Sequence, residues 1–572
     1  MGVFRRRGRS RRVQPRVSAR TLVCAQLLAA GGAVVGALTG LTWWQGLLVA
    51  AAVTAVGLTP VRGRCLLAWV AAAWDYRTPP RAIPLIVNDF RQDDAPSIGL
   101  RWDLDTARDG TTALLAVIEV TPGVGAVTEP TRQSVGAGHR LPMSVIAAAL
   151  SHHDLRLSGI DVVSHGRRTA AGSPAADVYG QLIGPLPATA LRTVWLVLRF
   201  DPSAEAEAVT RRGGGPAGAA RAMSVIAERT IRSLAAAGCP ARVLDAAEIN
   251  SAALQVGHGS RPEPGVRAWT HSPLPGAFNT GYSIDPRALT AELLAALWAQ
   301  PSLGTTVALR LRPTTDPASV RIGASCRFTT ATRPVRLDLP GLVSMSGRHR
   351  DALASALPAA PGHLDVLTDF EEFDLSRLDA LGLPAAGCGQ LIGSDADGRA
   401  LATRIVGAEI GSVDVLGEPY LARQLVLRAV ATGARVLVRS ARPQDWEPLV
   451  DIVAAPDRLR LTHEQRIDPR FDAVLFDGVP AADLGPGVTS ILLLDRPGPP
   501  GRDQPDVTVV QPGSCGDRIV LRTRQTRAEL TLVTVPPESA FLGRTRTESR
   551  SGQPGYARSD RADRSASAHQ AS

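Results

Sequence analysis

The sequence predicts an N-terminal transmembrane α-helical hairpin followed by a mixed α/β cytosolic region, with a C-terminal part that is doubly wound α/β. Three observations predict it. Thr21–Val61 runs without a single charge. From about Ile83 to Arg336, β-branched stretches alternate with helical patterns. A strand–helix–strand unit then opens the last third, the signature of a parallel sheet.

The uncharged stretch is too long for one span and suits two, since a hydrocarbon core roughly 30 Å thick needs about 20 helical residues. Thr21–Leu41 and Trp43–Val61 supply them. Gly40, Thr42, Trp43, Trp44 and Gln45 form the turn, with two indoles suited to the headgroup level. Eight arginines precede the pair (Arg5, Arg6, Arg7, Arg9, Arg11, Arg12, Arg16, Arg20), and Arg62 and Arg64 follow it. Arginine at both outer ends places both on the cytoplasmic side of the inner membrane, as a multi-pass protein with the bulk of the chain cytoplasmic. A twin-arginine signal at Arg11-Arg12 is the competing reading, but signal cores run only about 7–15 residues. Gly32, Gly36 and Gly40 line one face of the first span. That stripe suits a close helix contact, either with a partner or with Gly46, Ala50 and Thr54 of the second span.

A chain of 572 residues suggests two to four domains. Its net charge of +10 is concentrated in two tails, the eight arginines of residues 1–20 and six arginines against three acids in Arg544–Ser572. The remainder is nearly neutral, so nucleic acid is not implied, whereas an arginine arm beside a bilayer suits anionic lipid. All 63 basic residues are arginine. Without lysine the chain has neither a Walker A cation nor a Schiff-base amine. Its six cysteines (Cys24, Cys65, Cys239, Cys326, Cys388, Cys515) show no CxxC pair, which fits reduced thiols rather than structural zinc.

The expected divisions are a basic arm (1–20), the transmembrane hairpin (21–61) and a juxtamembrane helix with a Pro-rich link (62–82). A mixed α/β cytosolic domain (83–336), a Pro/Ala-rich connection (337–387), an α/β cytosolic domain (388–543) and a disordered Arg-rich tail (544–572) follow. Within 83–336, Ile98–Trp102, Ala113–Val120, Leu155–Val163, Thr193–Phe200, Thr305–Leu311 and Val320–Phe328 read as strands. Ala219–Ala237 reads as a helix with Met223, Ile226, Ala227, Thr230 and Leu234 on one face. In the last third Val413–Leu416, Arg435–Arg439, Ala473–Phe476, Ile491–Leu494 and Val507–Val510 read as strands, Tyr420–Ala431 as a helix, and Gly433 as its C-cap.

Several short motifs invite chemistry. Asp395-Ala396-Asp397-Gly398 is a DxD that could hold a divalent metal against a nucleotide-sugar diphosphate. Flanked by strands and ending in Asp-Gly, it reads better as a hairpin turn. Asp103-Leu104-Asp105 is a second such match, which shows how cheaply the pattern arises. Strands ending at Asp477 and Asp495 resemble the strand-plus-Asp of P-loop ATPases, but the partner loop at Gly417–Arg423 reads GEPYLAR, without Gly-Lys or a magnesium hydroxyl. Gly213-Gly214-Gly215 reads as a helix link, and Gly387-Cys388-Gly389 with Gly393 departs from the dinucleotide fingerprint. His152-His153-Asp154 reads as polar residues at a helix end. No catalytic residue, cofactor site or metal site is assigned.

Four stretches resemble the EccE component of actinobacterial type VII (ESX) secretion systems. They are IGLRWDLD at Ile98–Asp105, LSHHDLRLSGIDVVSHGRR at Leu150–Arg168, the long segment Trp195–Leu244 beginning WLVLRFDPSAEAEAVTRRGGG, and RAVATGARVLVRSARPQDW at Arg428–Trp446. The resemblance implies a non-catalytic inner-membrane subunit built with EccB, EccC and EccD, of which EccC is the ATPase. It also implies a degenerate glycosyltransferase-like fold for the cytosolic part. A membrane-tethered, metal-dependent glycosyltransferase using Asp395 and Asp397 is the alternative function.

Overall fold

The computed structural model describes residues 19–38, 40, 42–61, 64–77, 86–91, 97–105, 111–121, 123, 127–131, 135–137, 140–170, 172–261, 267–464, 468–496, 504–514 and 516–542. The tail at 544–572, most of the basic arm and part of the Pro-rich link lie outside the described residues.

Valine, leucine and threonine recur through seven long strands, and these build the first sheet. Its order is Ser272–Leu274, Ala277–Ile284, Ser319–Thr330, Gly304–Arg312, Gly159–Arg167, Leu191–Phe200, Thr111–Val120, Ile98–Asp105 and Asn88–Phe90. Every pairing along that path is antiparallel. Because side chains alternate across a strand, the two faces differ in character. One carries Leu114, Ile118, Val162, Leu196, Leu309 and Ile322 beneath the helix Gly215–Ala236, whose Met223, Ile226, Ala227 and Leu234 are buried against them. The other carries Val117, Val163, Trp195 and Ala308 beneath the helix Ala246–Val256. That helix starts on a capping box, with Asp245 accepting from the Glu248 amide and Glu248 answering to the Asp245 amide.

The second sheet runs Leu459–Leu461, Val436–Ser440, Ala473–Asp477, Thr489–Leu494, Ser412–Leu416, Val507–Val510, Arg518–Thr523, Arg527–Thr531, Gln390–Ser394, Ala400–Thr403, Val127–Pro130 and Val135–Ala137. The first six are parallel to one another. The other six add antiparallel. This corrects the expectation of a doubly wound α/β part and of a glycosyltransferase-like fold built on it. Tight turns at Asp395–Gly398 and Thr523–Thr526 can join only antiparallel neighbours. Among the described residues, moreover, helices cover one face alone. Pro174–Ile183, Pro419–Thr432, Glu447–Val453 and Pro536–Leu542 bury Val413, Val438, Leu475, Ile491 and Val509. Opposite them, Leu437, Val474, Phe476 and Leu492 lie under the irregular chain carrying Val479, Ala482, Leu484 and Val488. The molecule is sheet-rich and largely antiparallel or mixed.

The N-terminal hairpin is also corrected. Helices α1 (Ala19–Leu38) and α2 (Trp43–Leu58) pair, and α3 (Leu66–Arg77) follows a two-residue ladder between Pro60–Val61 and Arg64–Cys65. Among the described residues, no helix is long and apolar enough to cross a membrane. Apolar sequence and apolar helix differ in length here. Thr59 precedes a proline, which disfavours helical backbone, so α2 stops after 16 residues, about 24 Å at 1.5 Å per residue. In α1 the charge of Arg20 leaves about 27 Å of uncharged helix, short of a core roughly 30 Å thick. Of the glycine stripe, Gly32 faces α2 whereas Gly40 lies in open space. A side chain at Gly32 would meet Ala50 at 3.8 Å, and one at Gly46 the Ala33 carbonyl at 4.0 Å, so small residues set the α1–α2 spacing. Leu27, Val34, Leu47, Leu48, Val53 and Val56 remain exposed.

Two segments from the first half of the chain bind it to the second. Strands Val127–Pro130 and Val135–Ala137 extend the second sheet. Helix Pro174–Ile183 packs Ala175, Tyr179 and Ile183 into the second core, where the Tyr179 hydroxyl accepts from the Leu391 amide at 2.8 Å. The end of the described chain is tied down by a buried ion pair. Arg428 Nε donates to Glu538 Oε1 at 2.7 Å, and its other nitrogens donate to the carbonyls of Leu391, Ile392 and Val533. Removing one member of such a pair strands the other, at about 3–5 kcal/mol. Glu538→Gln is therefore expected to lower the denaturant midpoint by a shift worth about 3 kcal/mol, and Arg428→Met with Glu538→Leu to recover part of it. An unchanged midpoint in the single variant would show that the pair does not hold the terminal helix.

Candidate functional site

A dense constellation of charged side chains lies on the second face of the first sheet. Arg101 and Asp103 come from strand Ile98–Asp105, Asp161 from Gly159–Arg167, Arg199 from Leu191–Phe200, and Arg310 and Arg312 from Gly304–Arg312. The segment Ser355–Asp365 lies across them. Arg199 Nε and Nη2 donate to Asp161 Oδ2 at 2.8 and 2.6 Å. Arg312 approaches Asp161 Oδ1 at 2.7 Å and grips Asp365 through Nε and Nη2 at 2.9 and 2.8 Å. Main-chain oxygens of the covering segment complete the set. Arg101 donates to Ala359 at 2.6 Å, Arg199 to Ala360 at 2.6 Å and Arg310 to Ser355 at 2.8 Å, while Asp103 accepts from the Gly362 amide at 2.6 Å.

Electrostatics follow from burial. Desolvation pushes the Asp161 carboxyl up, but Arg199, Arg312 and Arg310 outweigh it and hold that carboxyl well below the usual range. Further along the face, Arg327 is buried with no carboxylate beside it. It donates to Asn279 Oδ1 at 2.9 Å, to Thr329 Oγ1 at 3.1 Å and to the Val256 carbonyl. Burial brings its pKa down to about 9. His165, joined to Thr306 Oγ1 at 2.9 Å, is pulled down to about 3 by burial first and then by Arg327. These groups are enclosed and largely bonded to one another and to main-chain oxygens, while Asp161 Oδ1, Arg199 Nη1 and Arg327 Nε are buried without a hydrogen bond. Their arrangement clamps the covering segment on the sheet, and it presents no nucleophile beside a base.

Each motif singled out in the sequence is also occupied by its own chain. Asp395–Gly398 forms the expected hairpin turn. Asp395 Oδ1 accepts from the amides of Asp397 and Arg399 at 3.0 and 2.8 Å, and Arg399 pairs with Asp395 at 2.7 Å and Asp397 at 3.0 Å. At the GEPYLAR loop the Gln511 side chain stands where a phosphate would approach. Its Oε1 accepts from the Glu418 amide at 2.9 Å and its Nε2 donates to the Glu418 carboxylate at 2.9 Å. Pro419 opens the following helix without an N–H. Asp477 is buried and accepts from Ser440 at 2.6 Å, from the Trp446 indole at 3.0 Å and from Arg442, whereas Asp495 is exposed.

His152 and Asp154 belong to a tight turn between Ser151–His152 and Leu155–Arg156, not to a helix end. Asp154 pairs with Arg212 at 2.9 Å and His152 reaches Thr230 at 3.4 Å. Gly213–Gly215, all at positive φ, link two helices. Gly389, at φ +74°, lets the chain pass so close to Thr403 that a Cβ would sit 2.3 Å from its carbonyl carbon. Of the second DxD, Asp103 joins the arginine layer, while the Asp105 side chain lies outside the described residues. Four cysteines among the described residues are free and buried, and burial raises the Cys239 thiol to about 11. Sequence reasoning missed the arginine layer itself. Its only sign is a charge repeating every second residue inside apolar strands, as in Leu309-Arg310-Leu311-Arg312.

Part of this chain is similar in sequence to known proteins. A family described as "type VII ESX secretion system translocon, EccE" matches residues 188–284. These residues include Arg199 and Asn279. The ESX-5 secretion system protein EccE5 of Mycobacterium marinum is 27% identical over 364 residues, covering 60% of this chain and 86% of that protein. The ESX-1 secretion system protein EccE1 of Mycolicibacterium smegmatis is 26% identical over 409 residues, covering 69% and 76% respectively. EccE5 of Mycobacterium tuberculosis is 28% identical over 353 residues, covering 57% and 82%.

The His165 site carries a pH signature. Between pH 6.5 and about 3 the unfolded chain binds a proton on this residue that the folded chain refuses. Stability therefore falls as pH drops through that window and levels off below it. Denaturant midpoints measured from pH 7 to pH 4 are expected to decline in the native protein and to decline less steeply in His165→Asn. Parallel pH profiles for the two would place the proton uptake elsewhere.

Proposed function

We propose that this chain, which is related to the EccE components of type VII secretion systems, is a structural, non-catalytic subunit of a type VII protein secretion machine. The observation that carries the reading is similarity reaching over 60–69% of the chain to proteins named as ESX secretion components. The geometry supports a role in contact rather than chemistry. The Asp395 turn, the Gln511-filled loop and the Asp477 cluster each use their polar groups to hold the chain together.

In this reading the protein works at the cytoplasmic face of the inner membrane beside EccB-, EccC- and EccD-like components, with EccC supplying ATP hydrolysis. Its two sheets are drawn mainly from 83–336 and from 388–543, with 127–137 and 174–183 lent to the second. The arginines of residues 1–20 suit anionic lipid.

Purification of the tagged full-length chain in mild detergent is the test. The expected outcome is recovery of the other membrane components in fixed ratio, unaltered in Asp395→Asn with Asp397→Asn. Recovery of the chain alone, together with manganese-dependent binding of a nucleotide sugar that the double variant loses, would replace the structural reading by an enzymatic one.

A further inference from the structure

A cleft of about 640 Å³ opens where α3 meets the edge of the first sheet, a size that suits a small organic group. One wall is a pair of indoles, Trp69 and Trp269, with centroids 6.1 Å apart. Trp69 donates its indole N–H to the Val61 carbonyl at 2.9 Å, and Tyr76 meets Trp269 edge-on at 5.4 Å. Hydroxyls of Thr280, Ser344 and Ser346 and the phenol of Tyr282 supply polar groups within. At the mouth stands Arg333-Pro334-Val335-Arg336. Both arginines are exposed and, among the described residues, neither is paired with a carboxylate, while Val335 between them is 86% exposed. Burial first, and then Arg333, lowers the pKa of His271.

Beyond the cleft the surface is apolar. Val56, Val70 and Trp74 on α2 and α3 are 60%, 63% and 70% exposed, so a tail leaving the indole wall meets apolar side chains rather than water. The strand Ala277–Ile284 offers a peptide no free edge here. It is already paired with Ser319–Thr330 on one side and with Ser272–Leu274 and Leu342–Ser344 on the other.

We propose that this cleft binds the phosphate headgroup of an anionic phospholipid, with Arg333 and Arg336 on the phosphate and the acyl chains along α2 and α3. No helix need cross the bilayer for this, because the headgroup is reached from its surface.

The test uses the full-length protein in a neutral detergent, titrated with dioctanoyl phosphatidylglycerol or dioctanoyl phosphatidylcholine and followed by tryptophan fluorescence. Phosphatidylglycerol is expected to bind about tenfold more tightly than phosphatidylcholine, as two arginines at a lipid phosphate suggest. Arg333→Gln with Arg336→Gln, both exposed and safe for folding, is expected to abolish that preference, weakening phosphatidylglycerol binding about tenfold and phosphatidylcholine binding less. Equal binding of the two lipids, or a preference that survives in the double variant, would overturn the proposal. Displacement by equimolar inorganic phosphate would reassign the cleft to a free anion, and displacement by an acidic peptide would reassign it to protein docking.

Discussion

The carboxylate of Asp161 sits between Arg199 and Arg312, and through them it ties together three adjacent strands and the segment that covers them. Ions buried on a sheet face carry a large desolvation cost, and replacing them by apolar residues often leaves stability unchanged or improved. What this network adds is specificity. Only one placement of Ser355–Asp365 brings the carbonyls of Ser355, Ala359 and Ala360 onto Arg310, Arg101 and Arg199. Ala359 adopts a left-handed φ of 63° there, an unfavourable conformation for alanine that the surrounding hydrogen bonds hold in place.

A similar logic joins the two sheets. Helix Pro174–Ile183 leaves the first half of the chain and enters the second core, and the strand pair 127–137 extends the second sheet at its edge. At the helix that follows the second sheet's first parallel strand, Arg428 spends its donors on Glu538 and three carbonyls. Polar groups that other proteins turn outward to ligands are turned inward here. Gln511 against Glu418 and Arg442 against Asp477 fill the carboxyl ends of the parallel strands, where open α/β sheets usually bind ligands. Among the described residues, these clusters hold the chain together. Its most distinctive surfaces are the exposed apolar sides of α1, α2 and α3 and the arginine-rimmed aromatic cleft beside them.

Much of the local structure was legible in the sequence. The strands at Ile98, Thr193, Thr305 and Val320 lie within a few residues of their expected bounds, and the helix expected at Ala219–Ala237 begins at Gly215 and ends at Ala236. Period-2 and period-3.6 patterns are local properties, so a window of ten residues carries them. Asp395-Ala396-Asp397-Gly398 was legible as a turn for the same reason. An Asp side chain satisfies nearby amides and glycine supplies the positive φ.

Residue order alone placed most strands and helices to within a few residues, showed which glycines turn the chain, and excluded lysine chemistry. Tertiary structure decided the rest. An apolar run from Thr21 to Val61 says nothing of where Pro60 ends a helix relative to bilayer thickness, so uncharged length overstated helix length. Strand–helix–strand order at Val413–Arg439 is compatible with many sheets. Only long-range pairing revealed that six antiparallel strands complete this one and that, among the described residues, helices cover a single face. Arg310 and Arg327 look like solvent-facing residues in any window of their own strands. They are buried because chain dozens of residues away, at Val256 and Ser355, folds over them and supplies the carbonyls that a buried guanidinium requires.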